Sequence, residues 1–358
     1  MTATADPRGT DEGPGLTLPA PQVPDPGTAP PLRWGVISPG HIADQFTATA
    51  HRATASRVVS VVSRSQQRAE AFAAKHGLER AFSSVADMLA AGGIDAVYVA
   101  SPHAQHHALT RPVLEAGVPA LVEKAFTLNT AQARDLLELA EQKGVFVMEA
   151  MWARFLPQYD VLRQVVASGV LGDIVEVTAD HGQSFPEDPT HRMHAPELGG
   201  GALLDLGVYP LSFAQMVLGD LTDLSVHGTL TSAGVDAYVG LLARGEHGGH
   251  ARLGTTLLSR TPTAAVVSGT AGSAQLSGAF FAPGELTVTL LDGRSAGFSH
   301  PGDRGDGMAF EIAESARRIA AGELQSPVMS WAETLSVMGT MDAVRAELGV
   351  VYPGEEPA

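Results

Sequence analysis

The chain of 358 residues has no cysteine. That excludes disulfides, thiolate catalysis and thiolate metal sites, and leaves the redox compartment open. Lysine is nearly absent as well: Lys75, Lys124 and Lys143 are the only three, and arginine supplies the rest of the 23 basic residues. A lysine at a strand end is therefore informative. Long continuous apolar runs are missing, so no membrane span is predicted. Positive charge is in deficit, and a net charge of −16 argues against nucleic acid or an anionic membrane as partner. Residues 1–32, rich in Pro, Gly, Thr and Ala, contain no periodic apolar segment. They read as a disordered tail, with an arm embracing a partner subunit as the alternative. They also lack the basic start and apolar core of a secretory signal, so a cytoplasmic location is expected.

What the chain does have, from residue 33 to 151, is an alternation of short apolar runs and amphipathic segments. Strands are predicted at 34–38, 58–63, 96–100, 120–123 and 145–148, with helices at 42–50, 66–76, 85–90, 106–116 and 131–143. Runs apolar on both faces, each followed by a helix, predict a doubly wound parallel sheet, an α/β Rossmann domain. From residue 152 to 330 the texture changes. A helix (158–168) and a strand (174–179) precede a Gly/Pro/His-rich stretch and an apolar helix. Strand-like runs at 237–242, 250–258, 264–267 and 286–291 then alternate with turns rich in Gly, Pro and Asp. These predict an α+β domain with one broad, mostly antiparallel sheet. Helices at 308–321 and 331–348 close the chain, and residues 331–358 are expected to pack back on the first domain.

The first strand runs into Gly35-Val-Ile-Ser38-Pro-Gly40-His41-Ile42-Ala43. Compared with G-x-G-x-x-G/A, Ser38 replaces the first glycine, Gly40 is the second and Ala43 fills the third. Gly40 matters most, because backbone must approach a pyrophosphate there, at the positive end of a helix. After the second strand stand Ser63, Arg64 and Ser65, where a binder of a ribose 2′-hydroxyl would carry an acid. Arg64 suits a 2′-phosphate, so NADP is favoured over NAD. Ser101, Pro102 and His106 follow the fourth strand and are expected to shape a loop against the cofactor. The cluster His103, His106 and His107 has no thiolate or carboxylate beside it in sequence, and no metal is expected.

Glu123 and Lys124 end the fifth strand, at the carboxyl edge where ligands of such sheets bind. The run Gly199-Gly200-Gly201-Ala-Leu-Leu-Asp205-Leu-Gly-Val-Tyr209 places Asp205 and Tyr209 four apart on one helix face. An ammonium, a carboxylate and a phenol are the parts needed to move a proton on or off a hydroxyl. The ammonium of Lys124 is expected to lower the pKa of the Tyr209 phenol. Trp152, Arg154 and Phe185 are candidates to line a substrate pocket.

These motifs together resemble the Gfo/Idh/MocA oxidoreductase family over nearly the whole chain from Arg33. The Gly40 turn, Ser101-Pro102-His-Ala-Gln-His106, Glu123-Lys124 and the run from Gly199 to Tyr209 carry the likeness. The stretches 33–38 and 148–155 resemble the branch of dimeric dihydrodiol dehydrogenase and NADP-dependent D-xylose dehydrogenase. The resemblance implies NADP-linked oxidation of a sugar, cyclic polyol or trans-dihydrodiol hydroxyl in a homodimer paired through the C-terminal sheet. It also implies that Lys124 and Tyr209 are catalytic, supported by Asp205. Proline usually follows Glu-Lys in the family, and here Ala125 does. Whether the phenol or the ammonium transfers the proton stays open. The rival readings are a glycosidase of the same fold that retains NAD, and a non-catalytic NADP-binding regulator.

Overall fold

Six short strands form the first sheet in the computed structural model, which describes residues 15–186, 188 and 191–355. They are β1 (Arg33–Ile37), β2 (Arg57–Val62), β3 (Arg80–Phe82), β4 (Ala96–Val99), β5 (Ala120–Glu123) and β6 (Val147–Ala150). All pair in parallel in the order β3-β2-β1-β4-β5-β6, the doubly wound arrangement. The last three are buried at every residue, as strands covered on both faces must be, and besides Val, Ala, Leu, Met and Tyr they bury Glu123 and Glu149. Helices α1 (His41–Ala53), α2 (Gln66–His76), α3 (Val85–Ala91), α4 (His103–Glu115) and α5 (Thr130–Lys143) connect them. Their limits follow local chemistry. Ser65 and Asn129 accept the N–H groups of Arg68 and Gln132 at the starts of α2 and α5, and Gly77 and Gly144 end these helices in left-handed conformation.

A short 3₁₀ turn (Trp152–Phe155) leads to α6 (Pro157–Ala167), β7 (Ile174–Gly182) and α7 (Val208–Leu218). Seven strands complete a second sheet: β8 (Leu221–Leu230), β9 (Asp236–Gly245), β10 (His250–Thr256), β11 (Ala265–Gly269), β12 (Gly272–Leu276), β13 (Glu285–Leu290) and β14 (Ser295–Ser299). Its order is β14-β13-β12-β11-β7-β10-β9-β8, antiparallel except for the central pair β7 and β10. Burial alternates along β9 and β13, so one face is dry, and α6, α7 and α9 (Trp331–Leu348) pack across it. The apolar stretch Pro196–Leu218, which ends in α7, has an 18-residue window of mean hydropathy 1.3 that is 83% buried inside the fold.

Two expectations are corrected. Within residues 15–32, the described part of the expected tail, the chain is a packed strap. Leu16 and Leu18 lie on the core, Ala29 and Leu32 are buried, and Asp160, Gln164 and Arg317 bond its backbone at Gln22, Ala20 and Asp25. An extended proline-rich segment buries side chains without a period, which is why the pattern was silent. Residues 1–14 lie outside the described residues. The second domain also ends earlier than residue 330, because α8 (Met308–Ala321) packs on α1 and Val147 N–H donates to Leu324 O at 3.1 Å. Helix α9 bridges the halves, touching α5 on one side and α7 and β8 on the other.

Candidate active site

A cavity of about 1140 Å³ opens along the carboxyl edge of the first sheet and continues to β7 and the start of α7. It exceeds the roughly 300–1,000 Å³ of an ordinary small-molecule site, enough for a long ligand and a second one beside it. One end is lined by Ser38, Gly40, His41, Ile42, Ser63, Arg64, Ser101 and Pro102; Glu123, Lys124, Trp152, Phe185, Asp205 and Tyr209 line the other.

The first turn fits a dinucleotide. Ser38 takes a φ of +74°, the left-handed conformation that the first glycine of the fingerprint supplies, and its N–H is held by Val62 O at 2.9 Å. Gly40, which lines the cavity, has an ordinary φ of −132°, and a Cβ there would meet nothing within 4 Å. Glycine leaves bare backbone at the N-terminus of α1, where an anionic pyrophosphate is favoured. Arg68, on α2, lines the same end, and its Nη2 donates to Pro39 O at 3.2 Å. Sequence reasoning missed it, because Arg64 precedes the N-cap Ser65 and no helical spacing links the two.

At the other end Lys124 follows β5 directly. Its Nζ donates to the backbone O of Asp205 at 2.6 Å and to Oδ1 at 3.1 Å. Arg192 grips the same carboxylate from the cavity mouth through two bonds of 3.2 Å. Burial opposes ionisation of Asp205, but the charges of Lys124 and Arg192 outweigh it and hold the carboxyl far below the usual range. The Lys124 ammonium lies over the face of the Tyr209 ring, 5.0 Å from its centroid. Lys124 thereby makes a cation–π contact with the residue whose phenol the sequence pairs with it. Tyr209 stacks on Phe281 with centroids 4.3 Å apart, and the His181 ring closes the group 4.5 Å from Phe281.

Asp205 sits in a π-turn (Leu203–Gly207) that runs into α7, and the wider turn still presents Asp205 and Tyr209 to one cavity. Pro210 has no N–H to give the Leu206 carbonyl four residues earlier, and His181 Nδ1 lies 3.2 Å from that oxygen. Asp236 receives the Leu203 N–H at 2.6 Å and so caps the segment from another strand. The glycines before it are steric requirements: a Cβ on Gly199 (φ +74°) would lie 2.8 Å from His103 Cβ, and one on Gly201 (φ +117°) 2.3 Å from Asp236 Oδ1.

The three histidines of the sequence cluster diverge. His103 places its ring nitrogens 2.9 Å from Gly199 O and 3.2 Å from Lys124 O. Burial first, then His106 and Lys124, lower its pKa to about 3 against the pull of Asp205, so the ring is neutral. His106 is fully buried behind the cavity wall, 2.8 Å from Ser101 O and 2.9 Å from Ala125 O, and ties two loops together. Its expected cofactor contact is therefore indirect. His107 pairs with Asp135 at 2.7 Å. Among the described residues no group of three His, Cys, Asp or Glu converges on a point.

One expected pocket residue is elsewhere. Arg154 is buried and spends its guanidinium on Ser212 O at 2.9 Å, Val328 O at 3.5 Å and Glu333, away from the cavity. A spare cation near aromatic residues suggested a ligand contact; the sequence could not show that α9 would supply an anion. His181, Gln183, Arg192 and Phe281 line the site without having been singled out, because each comes from an irregular segment or a strand end.

A doubly wound sheet whose carboxyl edge opens on a lysine–aspartate pair is suited to dinucleotide-dependent hydride transfer at a CH–OH group. The family model described as "Oxidoreductase family, NAD-binding Rossmann fold" matches residues 32–151, and that of the GFO/IDH/MocA C-terminal domain matches residues 159–275. The chain belongs to the GFO/IDH/MocA oxidoreductase family. It is 34% identical over 338 residues to trans-1,2-dihydrobenzene-1,2-diol dehydrogenase of Macaca fuscata fuscata, covering 91% of this chain and 99% of that one. The human enzyme of the same name is 34% identical over 339 residues, with the same coverage. Among solved structures, the 3-ketoreductase KijD10 of Actinomadura kijaniata, in complex with NADP and TDP-benzene, superposes with a TM-score of 0.76 at 27% identity, covering 88% of this chain and 97% of that one. The aldose-aldose oxidoreductase of Caulobacter crescentus shares the fold, with a TM-score of 0.79 at 19% identity over 88% of this chain and 96% of that one.

Proposed function

We propose that the protein is an NADP-dependent dehydrogenase of a vicinal diol, cyclic polyol or pyranose hydroxyl. The observation that carries the reading is the Lys124–Asp205 pair beside an aromatic wall, at the far end of a cavity whose near end holds Arg64 and Arg68. Two guanidiniums flanked by Ser63 and Ser65 suit a 2′-phosphate, and among the described residues no carboxylate lines that end to accept a free 2′-hydroxyl. Ser38, the Gly40 backbone, His41, Ile42, Ser101 and Pro102 would hold the rest of the dinucleotide, with Glu123 and Lys124 next to the nicotinamide. Bound there, the cofactor supplies hydride transfer at the nicotinamide ring.

The chain's own residues do the rest. Lys124 moves the proton at the reacting oxygen: as amine it accepts from a hydroxyl being oxidised, and as ammonium it donates to a carbonyl being reduced. Asp205, itself gripped by Arg192, holds the lysine in place. Trp152, Phe185, Tyr209 and Phe281 offer flat apolar surfaces that suit a ring with its hydroxyls at the edge, and Arg192 and Gln183 suit the neighbouring oxygens. A homodimer through the open face of the second sheet, where Tyr238 and Leu242 are exposed, belongs to the same proposal.

The experiment is a reduction screen with NADP⁺ and NAD⁺ against trans-dihydrodiols, aldoses and inositols. Sustained NADPH formation with at least one class, faster than with NAD⁺, is expected. Cleavage of glycosides without net turnover of free NADP⁺ would replace this reading by the NAD-retaining glycosidase.

A further inference from the structure

The stretch Met148-Glu149-Ala-Met-Trp152-Ala-Arg154-Phe155 is only partly absorbed by the site: Trp152 lines the cavity, while Glu149 and Arg154 do not. Both are almost completely inaccessible, at 1% and 3% exposure. Burying a carboxylate and a guanidinium costs several kcal/mol per ion, and apolar residues of similar volume are often equally stable. Their bonds show what the charges accomplish. Glu149 Oε1 accepts the N–H of Phe126, two residues after Lys124, at 3.1 Å, and its Oε2 accepts from Thr334 Oγ1 of α9 at 3.1 Å. Arg154 bonds Ser212 O in α7, the helix that carries Tyr209, and Glu333 in the first turn of α9. Glu333 is itself fixed there, its Oε2 accepting from Ser330 N–H at 2.9 Å. Both sides of the catalytic cleft are thus fastened to the same helical turn, residues 330–334.

We propose that Glu149 is a positioning residue for Lys124, fastening the lysine loop to the first turn of α9, to which Arg154 fastens the opposite wall of the cleft. The proposal rests on the assignment of Lys124 as the proton-transfer group. The groups facing Glu149 are Arg154, which favours its charge, and Glu123, which opposes it. Burial dominates and raises its pKa to about 7, against the bonds from Thr334 and Phe126.

The scarcity of lysine provides a probe independent of turnover. In protein labelled with [¹³C]lysine there are three side chains to resolve, and Lys124, lying over the Tyr209 ring, carries a ring-current shift that Lys124→Met assigns. Glu149→Met is expected to move the Lys124 signal and to lower kcat at least tenfold, with the NADPH dissociation constant, read by fluorescence, within about threefold of wild type. Glu149→Gln keeps an acceptor for Phe126 and a partner for Thr334, and should restore both signal and kcat to within about threefold. Thr334→Val, close in volume to the native residue, should move the signal in the same direction by less, and serves if Glu149→Met does not fold. An unmoved Lys124 signal in Glu149→Met, or in Thr334→Val if the former does not fold, overturns the proposal, as does a Gln variant as damaged as the Met. Absence of turnover in the wild type would instead remove the functional reading, and the lysine signals would still decide the positioning claim.

Discussion

Lys124, Asp205 and Arg64 were recognisable as residues because each stands where its chemistry is unusual. A lysine at the carboxyl edge of a sheet, in a chain with three lysines, has few bland explanations. What the sequence could not reveal was which atom of a partner would be used: Lys124 meets a carbonyl, a carboxylate and a ring face, contacts set by a π-turn and by Pro210. Arg154 shows the reverse error, a cation assigned to a ligand whose partners are buried protein groups. At this scale the cofactor assignment is open to test. Arg64→Asp places an acid where a 2′-phosphate would lie, removing one charge-assisted contact worth about 1.5–3 kcal/mol. NADP affinity should fall about tenfold to a hundredfold while NAD affinity holds or improves. Titration by NADPH fluorescence checks it, and unchanged NADP affinity contradicts it. Arg68 would then be expected to leave some preference for NADP, so the double variant should go further.

Elements were readable in proportion to their regularity. The helices at 308–321 and 331–348 have the predicted bounds: the first is an amphipathic segment, the second opens on the Ser330–Glu333 capping box, and left-handed Gly322 and Gly349 stop them. The buried strands of the first sheet announced themselves as apolar runs. Among those missed, β3 has three residues, and β12 and β14 are built on Gly, Ser, Ala and Gln, with little alternation to detect. The strap is the largest miss. It has no repeating pattern, yet it buries Ala29 and Leu32 and lays Leu16 and Leu18 on the core. Starting the chain at Pro31 removes those two half-buried leucines and the bonds to Asp160, Gln164 and Arg317. A loss on the order of 2–4 kcal/mol is expected from such burial, and a fall in Tm of about 3–6 °C. Calorimetry that shows no change would return the segment to a dispensable tail.

For the whole molecule, the two sheets were legible as classes of architecture, while their joint was not. Helices α8 and α9 return to the first domain, so the cleft is braced from behind by chain that is distant in sequence. The open face of the second sheet carries Tyr238 at 42% and Leu242 at 54% exposure beside Arg252 and His227. An apolar centre rimmed by polar groups suits burial against a second copy. The proposed homodimer predicts a sedimentation coefficient near that of 74 kDa, about twice the chain mass of 37.2 kDa, at micromolar concentration. Leu242→Arg should shift it toward monomer without unfolding. A wild-type monomer under these conditions contradicts the dimer.

The central claim is that Lys124 handles the proton at the reacting oxygen, held by Asp205 and faced by the aromatic wall. Its most direct test is single-turnover oxidation of the best substrate from the screen by Lys124→Met, with cofactor binding measured in parallel. The account predicts a rate roughly 10²–10⁴ lower, the usual contribution of a positioned acid–base group, with the NADP dissociation constant nearly unchanged. A folded Lys124→Met enzyme with near-normal turnover would contradict it.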